Sequence, residues 1–274
     1  MALFFKTKKI DEQIPNNFAT KCPKCEQSQF TQMLNTTFNV CPNCNHNMPR
    51  TSREVVTQIV DENSFKELYV SRRVFNPLKM AGYAERQKAL KEKLDVDEAV
   101  ICGTAKVEGV RFAIAVMDTR FLMGSLGTRA GEKITLLVEF ATKKNLPLII
   151  FTASGGARMQ DGILSLMQMS KIVSSLKVHS NKGLFYMPVL MNPTTGGVSA
   201  SFAQLGDVII AEDNALICFA GPKVIEKTIN QKLPDGFQKS EFLLEHGFLD
   251  AIVKRSEQRA FIAKMLKWHG GKNE

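Results

Sequence analysis

Two short apolar runs, each closed by a glycine pair, constrain this chain more than any other feature. Leu148-Ile149-Ile150-Phe151 leads to Ser154-Gly155-Gly156-Ala157-Arg158, and Met187-Pro188-Val189-Leu190-Met191 leads to Thr194-Thr195-Gly196-Gly197-Val198-Ser199-Ala200-Ser201. Apolar runs of this length bounded by Gly and Pro predict buried strands, and the 3.6-residue spacing that follows predicts helices. A strand, a glycine turn and a helix therefore occur twice. Consecutive glycines at a helix start leave peptide N–H groups unspent and carry no Cβ to block a ligand, so each turn can gather donors around an oxyanion. A donor aimed at charge that develops during reaction is worth roughly 3 kcal/mol, enough for chemistry without a nucleophilic side chain. For one pair alone a plain tight turn is the commoner explanation, and repetition weighs against it.

The same alternation runs through the rest of the chain. Two strands, 101–107 and 110–118, meet at Glu108-Gly109, and a loop at Gly124-Ser125-Leu126-Gly127 precedes a helix over 131–144. Ile163, Leu164, Leu166, Met167, Met169, Ile172, Val173 and Leu176 predict a well buried helix. Further strands are expected at 208–211 and 215–219, helices at 222–231 and 239–246, and a last strand and helix over 248–268. Residues 51–95 read as helical, with Asp61 or Asn63 as caps and a break at Asn76-Pro77. The class is α/β.

Four of the six cysteines form Cys22-Pro23-Lys24-Cys25 and, after fifteen intervening residues, Cys41-Pro42-Asn43-Cys44. Two such knuckles bring four thiolates from two tight turns, the set that tetrahedral Zn²⁺ takes, with a small hairpin expected over 30–40. Disulfides or a redox dithiol fit less well in a chain read as cytoplasmic. A closed four-cysteine site has no open coordination position, so one structural Zn²⁺ per chain is expected. Cys102 and Cys218 lie in apolar runs and read as packing residues, and His46 as a surface histidine. Three parts follow: a flexible leader over 1–17, a four-cysteine ribbon over 18–50 and an α/β domain over 51–274.

The length of 274 residues, 44% of them hydrophobic, suits one large domain beside a small module. No apolar run reaches the ~20 residues of a membrane span, and the apolar start is too short for a secretory signal. A net charge of +9 favours anionic ligands or partners. Its densest cluster, Arg72, Arg73, Lys79, Arg86, Lys88, Lys91 and Lys93, reads equally as a solvated helical face or an anion site. The ribbon, with Lys21, Lys24 and Arg50 against Glu26, is near neutral once a Zn(Cys)₄ centre is counted. That suits a docking cap or lid better than a phosphate-tracking surface, although a zinc-ribbon nucleic-acid binder remains the alternative. The sequence has no G-x-S-x-G, G-x-G-x-x-G or P-loop, which disfavours serine hydrolase, dinucleotide and ATP sites.

Ser154 to Gln160, Thr194 to Phe202, Phe219-Ala220-Gly221-Pro222 and Leu233 to Phe242, together with the four-cysteine ribbon, resemble the β subunits of bacterial acetyl-CoA carboxylase carboxyltransferases over about residues 21–253. The resemblance implies a crotonase-like (ClpP/crotonase) superhelix of repeated ββα units behind an N-terminal zinc ribbon. It implies transfer of a carboxyl group from carboxybiotin on a biotin carboxyl carrier protein to acetyl-CoA, giving malonyl-CoA for fatty acid synthesis. An α subunit would complete the enzyme as an α₂β₂ assembly, and a biotin carboxylase partner would consume the ATP. Biotin would be attached to the carrier and not to this chain. By matching motif, Gly196 and Gly197 would form the oxyanion hole, and Ser154, Gly155, Gly156 and Ala157 would line the substrate pocket, with Arg158 anchoring the loop. Three departures from the family pattern, Met123, Thr128-Arg129-Ala130 and Asn192, bear on the CoA pocket. A related biotin-dependent acyl-CoA carboxylase or decarboxylase subunit is the nearest alternative.

Overall fold

The structure is a computed structural model that describes residues 18–270; the expected leader over 1–17 lies outside the described residues. The chain divides into two compact units, one ending at Pro49 and one beginning at Arg50.

In the first unit, strands β1 (Ala19–Lys21) and β2 (Ser28–Phe30) pair antiparallel around the first knuckle. Helix α1 (Thr31–Thr36) then occupies much of the stretch expected to form a hairpin. Its Leu34 packs with Cys22, Cys41 and Met48, so a single apolar anchor on a helical turn takes the place of the expected hairpin. Both knuckles close by the same device. The amides of Glu26 and Asn45 donate to the carbonyls of Cys22 and Cys41 at 2.9 Å, and both residues are left-handed, at φ 59° and 55°.

The second unit is built on a mixed sheet. Helix α2 (Ser52–Ile59) starts with a capping box in which the Thr51 hydroxyl accepts from the Glu54 amide and the Glu54 carboxylate accepts from the Thr51 amide. Strand β3 (Lys66–Leu68) interrupts the expected helical stretch before helix α3 (Tyr83–Leu94). Asp61 caps nothing. Its carboxylate accepts from the amides of Glu108 and Gly109 and from Arg259. Strands β4 (Val100–Val107) and β5 (Val110–Met117) form the expected hairpin, and helix α4 (Thr128–Lys144) follows.

Strand β6 (Leu148–Ser154), helix α5 (Ile163–Asn181) and strand β7 (Tyr186–Thr195) come next. Then follow strands β8 (Ile210–Ala211) and β9 (Ile217–Cys218), helices α6 (Pro222–Ile229) and α7 (Ser240–Glu245), strand β10 (Ala251–Ile252) and helix α8 (Arg255–Trp268). The sheet runs β10-β8-β7-β6-β5-β4-β3, antiparallel at β3-β4-β5 and parallel from β5 to β10, with β9 pairing the far end of β7. Strands β5, β6 and β7 are buried on both faces for most of their length, as their unbroken apolar runs require.

Helix α5 departs from expectation. Its inward row holds Ser165, Gln168, Ile172, Ser175, Leu176 and His179, while Ile163, Leu164, Leu166 and Met167 are exposed. The apolar residues expected on one buried face divide between two, Ile172 and Leu176 inward and the four near the start of the helix outward, because what is covered depends on what the helix packs against. Neither glycine pair opens an α-helix. Gly155-Gly156 is followed by a bridge and a 3₁₀ turn before α5, and Gly196-Gly197 by a single turn closed by the Ala200 amide on the Gly196 carbonyl at 3.0 Å.

Candidate active site

Strands β6 and β7 are neighbours and parallel, so the glycine turns that follow them emerge side by side at the same edge of the sheet. Hydroxyls tie the strand ends together. Thr194 Oγ1 donates to the Thr152 carbonyl at 2.9 Å, and Thr195 Oγ1 to the Ser154 carbonyl at 3.0 Å. The two turns then touch. A Cβ on Gly196, whose φ is +63°, would lie 2.8 Å from the Gly156 Cα; one on Gly156, at φ +111°, would lie 3.8 Å from the Gly197 nitrogen. A side chain at Gly196 would have to move the opposite backbone, whereas at Gly156 the opposite turn stands at ordinary contact distance and the positive φ is what excludes other residues. This is the residue-level reason for Gly156 and Gly196, and the close approach shows only when the strands are paired.

Amide accounting separates structural from available donors. Gly155 N–H donates to the Met123 carbonyl and Gly196 N–H to the Cys218 carbonyl, both at 2.9 Å. Gly156 N–H donates to Ser154 Oγ at 3.0 Å. Among the described residues, the amides of Ala157, Gly197 and Val198 have no protein acceptor. Ser154 is fully buried beneath the first turn, Gly155 is exposed and Ala157 half-buried, while Gly197 is buried under Met169. Ser199 and Ala200, on the second turn, line a cavity of about 250 Å³ with Ile217, Phe219, Phe242 and Phe248. A larger cavity, about 690 Å³, lies between α4 and α5 and includes none of the glycine-turn residues.

Arg158 is buried and bonded to Glu98 and Ser125, which suits an anchor. Arg129 donates to the Ser71 carbonyl at 2.9 Å. Within the basic cluster Lys91 is buried, its Nζ donating to the Arg73 carbonyl at 2.8 Å, while Arg72, Arg73, Lys79, Arg86, Lys88 and Lys93 remain exposed. Sequence reasoning missed Glu98, Asp161 and Tyr83, which support the first turn. Isolated acidic and aromatic residues carry no motif, and only burial marks them.

In the first unit the sulfurs of Cys22, Cys25, Cys41 and Cys44 lie within 4.8 Å of one another, with Cys22–Cys44 and Cys25–Cys41 at 3.7 Å. A tetrahedral ion with bonds of ~2.3 Å to sulfur has sulfur–sulfur edges of ~3.8 Å, so the four residues fit a metal ion. A hydrogen bond from the Asn43 side chain, with another from the Gln27 backbone, holds the Cys25 thiol down at about 6.

A mixed α/β sheet whose parallel strands end in apposed glycine turns is the crotonase-like architecture. The chain belongs to the carboxyl transferase domain family, whose model matches residues 68–239. Transcarboxylase 12S, solved with methylmalonyl-coenzyme A and methylmalonic acid bound, is 25% identical with a TM-score of 0.65, over 80% of this chain and 41% of that one. A Pseudomonas malonate decarboxylase hetero-tetramer in complex with malonate is 21% identical with a TM-score of 0.65, over 80% and 82%. The β subunit of P. aeruginosa geranyl-CoA carboxylase is 16% identical with a TM-score of 0.64, over 86% and 42%. The last two likenesses concern the fold, and the chain spans less than half the length of the transcarboxylase chain. Among the described residues no helix is long and apolar enough to cross a membrane.

Proposed function

We propose that this chain is the acyl-CoA-binding subunit of a biotin-dependent carboxyltransferase, with acetyl-CoA as acceptor and malonyl-CoA as product. The observation that carries this reading is the pair of apposed glycine turns with unspent amides at Ala157 and Gly197, inside a carboxyl transferase domain. Carboxylation next to a thioester requires loss of an α-proton, and charge gathers on the thioester oxygen as that proton leaves. Fixed peptide donors stabilise that charge more than the neutral carbonyl, so they act on rate. Gly197 N–H, with Ala157 N–H opposite, holds the oxygen; Gly155 and Gly156 keep the acyl approach open, and Ser154 shapes the turn. Biotin, borne on a carrier protein, supplies the carboxyl group and a nitrogen able to take the proton.

A second subunit of related fold is proposed from helix α5, which buries serines, a glutamine and a histidine while exposing Ile163, Leu164, Leu166 and Met167 beside Met159. An apolar row of that kind is characteristic of a surface that another chain covers. Zn²⁺ is the proposed occupant of the four-cysteine site, in a structural role. A different acyl-CoA acceptor is the second reading, favoured by the methylmalonyl-coenzyme A in transcarboxylase 12S and the substrate named for geranyl-CoA carboxylase.

The test is malonyl-CoA-dependent carboxylation of free biotin by the chain combined with an α-type subunit, followed by competition between acetyl-CoA and propionyl-CoA. Gly197→Val keeps the amide but places its Cβ 2.6 Å from Met169 Sδ, so the turn must shift and the donor loses its aim; kcat should fall by about 10²-fold or more, as when one such donor is lost. A wild-type complex without carboxyl transfer, or a Gly197→Val complex of normal rate, refutes the assignment.

A further inference from the structure

Asp97 and Glu98 are consecutive buried carboxylates just before β4, and each holds a different cation. Asp97 pairs with Lys133 of α4 at 2.5 Å, on the helix side. Glu98 Oε1 accepts from the Ala99 amide at 2.9 Å and from Arg158 Nη2 at 2.6 Å, with the two side chains 0% and 1% exposed. We propose that Glu98 is a positioning residue that acts through Arg158 to hold the first glycine turn against the second. This inference rests on the carboxyltransferase reading above.

Arg158 directly follows Ala157 and is clamped through both main chain and side chain. Its amide donates to the Leu126 carbonyl at 3.0 Å, and the Leu126 amide donates to the Gly156 carbonyl at 2.8 Å. Its Nε donates to Ser125 Oγ at 3.1 Å and its Nη2 to the Ser125 carbonyl at 2.8 Å. The guanidinium passes Gly127, where a Cβ would lie 2.6 Å from Nη1, and sits over the Phe121 ring at 5.6 Å. Tyr83 completes the frame: its hydroxyl lies 3.5 Å from Arg158 Nη1 and donates to Asp161 at 2.9 Å, and Asp161 accepts the Thr128 amide at 2.6 Å. Buried in this way, Arg158 has no route to a substrate. What it controls is the direction of the peptide that bears the Ala157 amide, and Glu98 is the buried charge that keeps the guanidinium in place.

Displacement of a reacting group by about 1 Å can cost 10²-fold in rate, so a positioning role predicts a loss confined to turnover. The complete complex is assayed with Glu98→Gln, Glu98→Asp, Arg158→Lys and Asp97→Asn. Glu98→Gln and Arg158→Lys should lower kcat roughly 10- to 100-fold, with KM for malonyl-CoA within about twofold. Glu98→Asp, which keeps the charge, should recover part of the loss. Asp97→Asn breaks the neighbouring buried pair and should lower Tm to a similar degree while leaving kcat near wild type. Arg158→Lys keeps the test decisive if Glu98→Gln does not fold. Equal kcat losses in Asp97→Asn and the Glu98 and Arg158 variants, or an unchanged kcat in the latter, overturn the inference. A wild-type complex without carboxyl transfer overturns the functional reading on which it rests.

Discussion

His179 shows how one residue can tie stability to pH. It is buried at the end of α5, with Nδ1 2.9 Å from the Thr142 hydroxyl and Nε2 3.3 Å from the Phe185 carbonyl. Burial holds its pKa below the ordinary histidine value, so the unfolded chain binds the proton more readily than the folded one. Its stabilising contribution is therefore complete above about pH 6.5 and is lost progressively as the pH falls below it. Urea unfolding followed across pH 5–8 should show a declining midpoint on the acid side of about 6.5. His179→Gln should flatten that decline above pH 5. An unchanged acid limb would remove His179 as its cause. Glu212 is also held low, for a different reason. Burial alone would raise its carboxyl, but Arg50 and Arg255 outweigh burial and keep it below the usual range.

At the scale of elements, α5 carries the prediction. Ile163 and Met167 lie one turn apart on the exposed row, on the same side of the helix. Met167→Glu and Ile163→Glu place charges in water in the isolated chain and should change its Tm little. In the complex the same charges would be desolvated without partners, and association with an α-type subunit should weaken by at least tenfold, or about 1.4 kcal/mol. Undiminished association, measured by sedimentation or calorimetry, would place the partner elsewhere. This element also marks the limit of reading from sequence. That α5 is a helix was legible, and so were β4 to β7, because buried strands and long helices leave local signatures. Which face of α5 is covered was not legible, since Ser165 and Gln168 become interior only through neighbours distant in sequence. The glycine pairs were legible as turns, but they were misread as helix starts, and three of their four amides are spent within the chain, leaving Gly197 N–H without a protein acceptor.

For the whole molecule the two units differ in what sustains them. The second unit has a continuous core spanning most of the sheet, whereas among the described apolar residues of the first only Leu34 and Met48 are buried with its cysteines. A module this small depends on a metal or another staple. A strong chelator should therefore expose residues 18–49 to limited proteolysis while the unfolding temperature of the second unit stays within about 2 °C, a change of less than ~1 kcal/mol in a domain of this size. Restoring Zn²⁺ should restore protection. Protection that survives complete removal of metal would show that the ribbon stands on its packing alone.

The sequence by itself determined the α/β class, the grouping of four cysteines and the two glycine turns, because each is written in spacing along a few residues. Tertiary structure alone decided that the two turns meet, with Gly196 against Gly156, and that Glu98 holds Arg158 behind them. Contacts of that kind join residues about 40 to 60 positions apart, and they arise only when paired strands, parallel at β6 and β7 and antiparallel at β4 and β5, align their ends. The physical reason is that strand pairing fixes register across the sheet, and no local pattern encodes which distant residue will stand opposite.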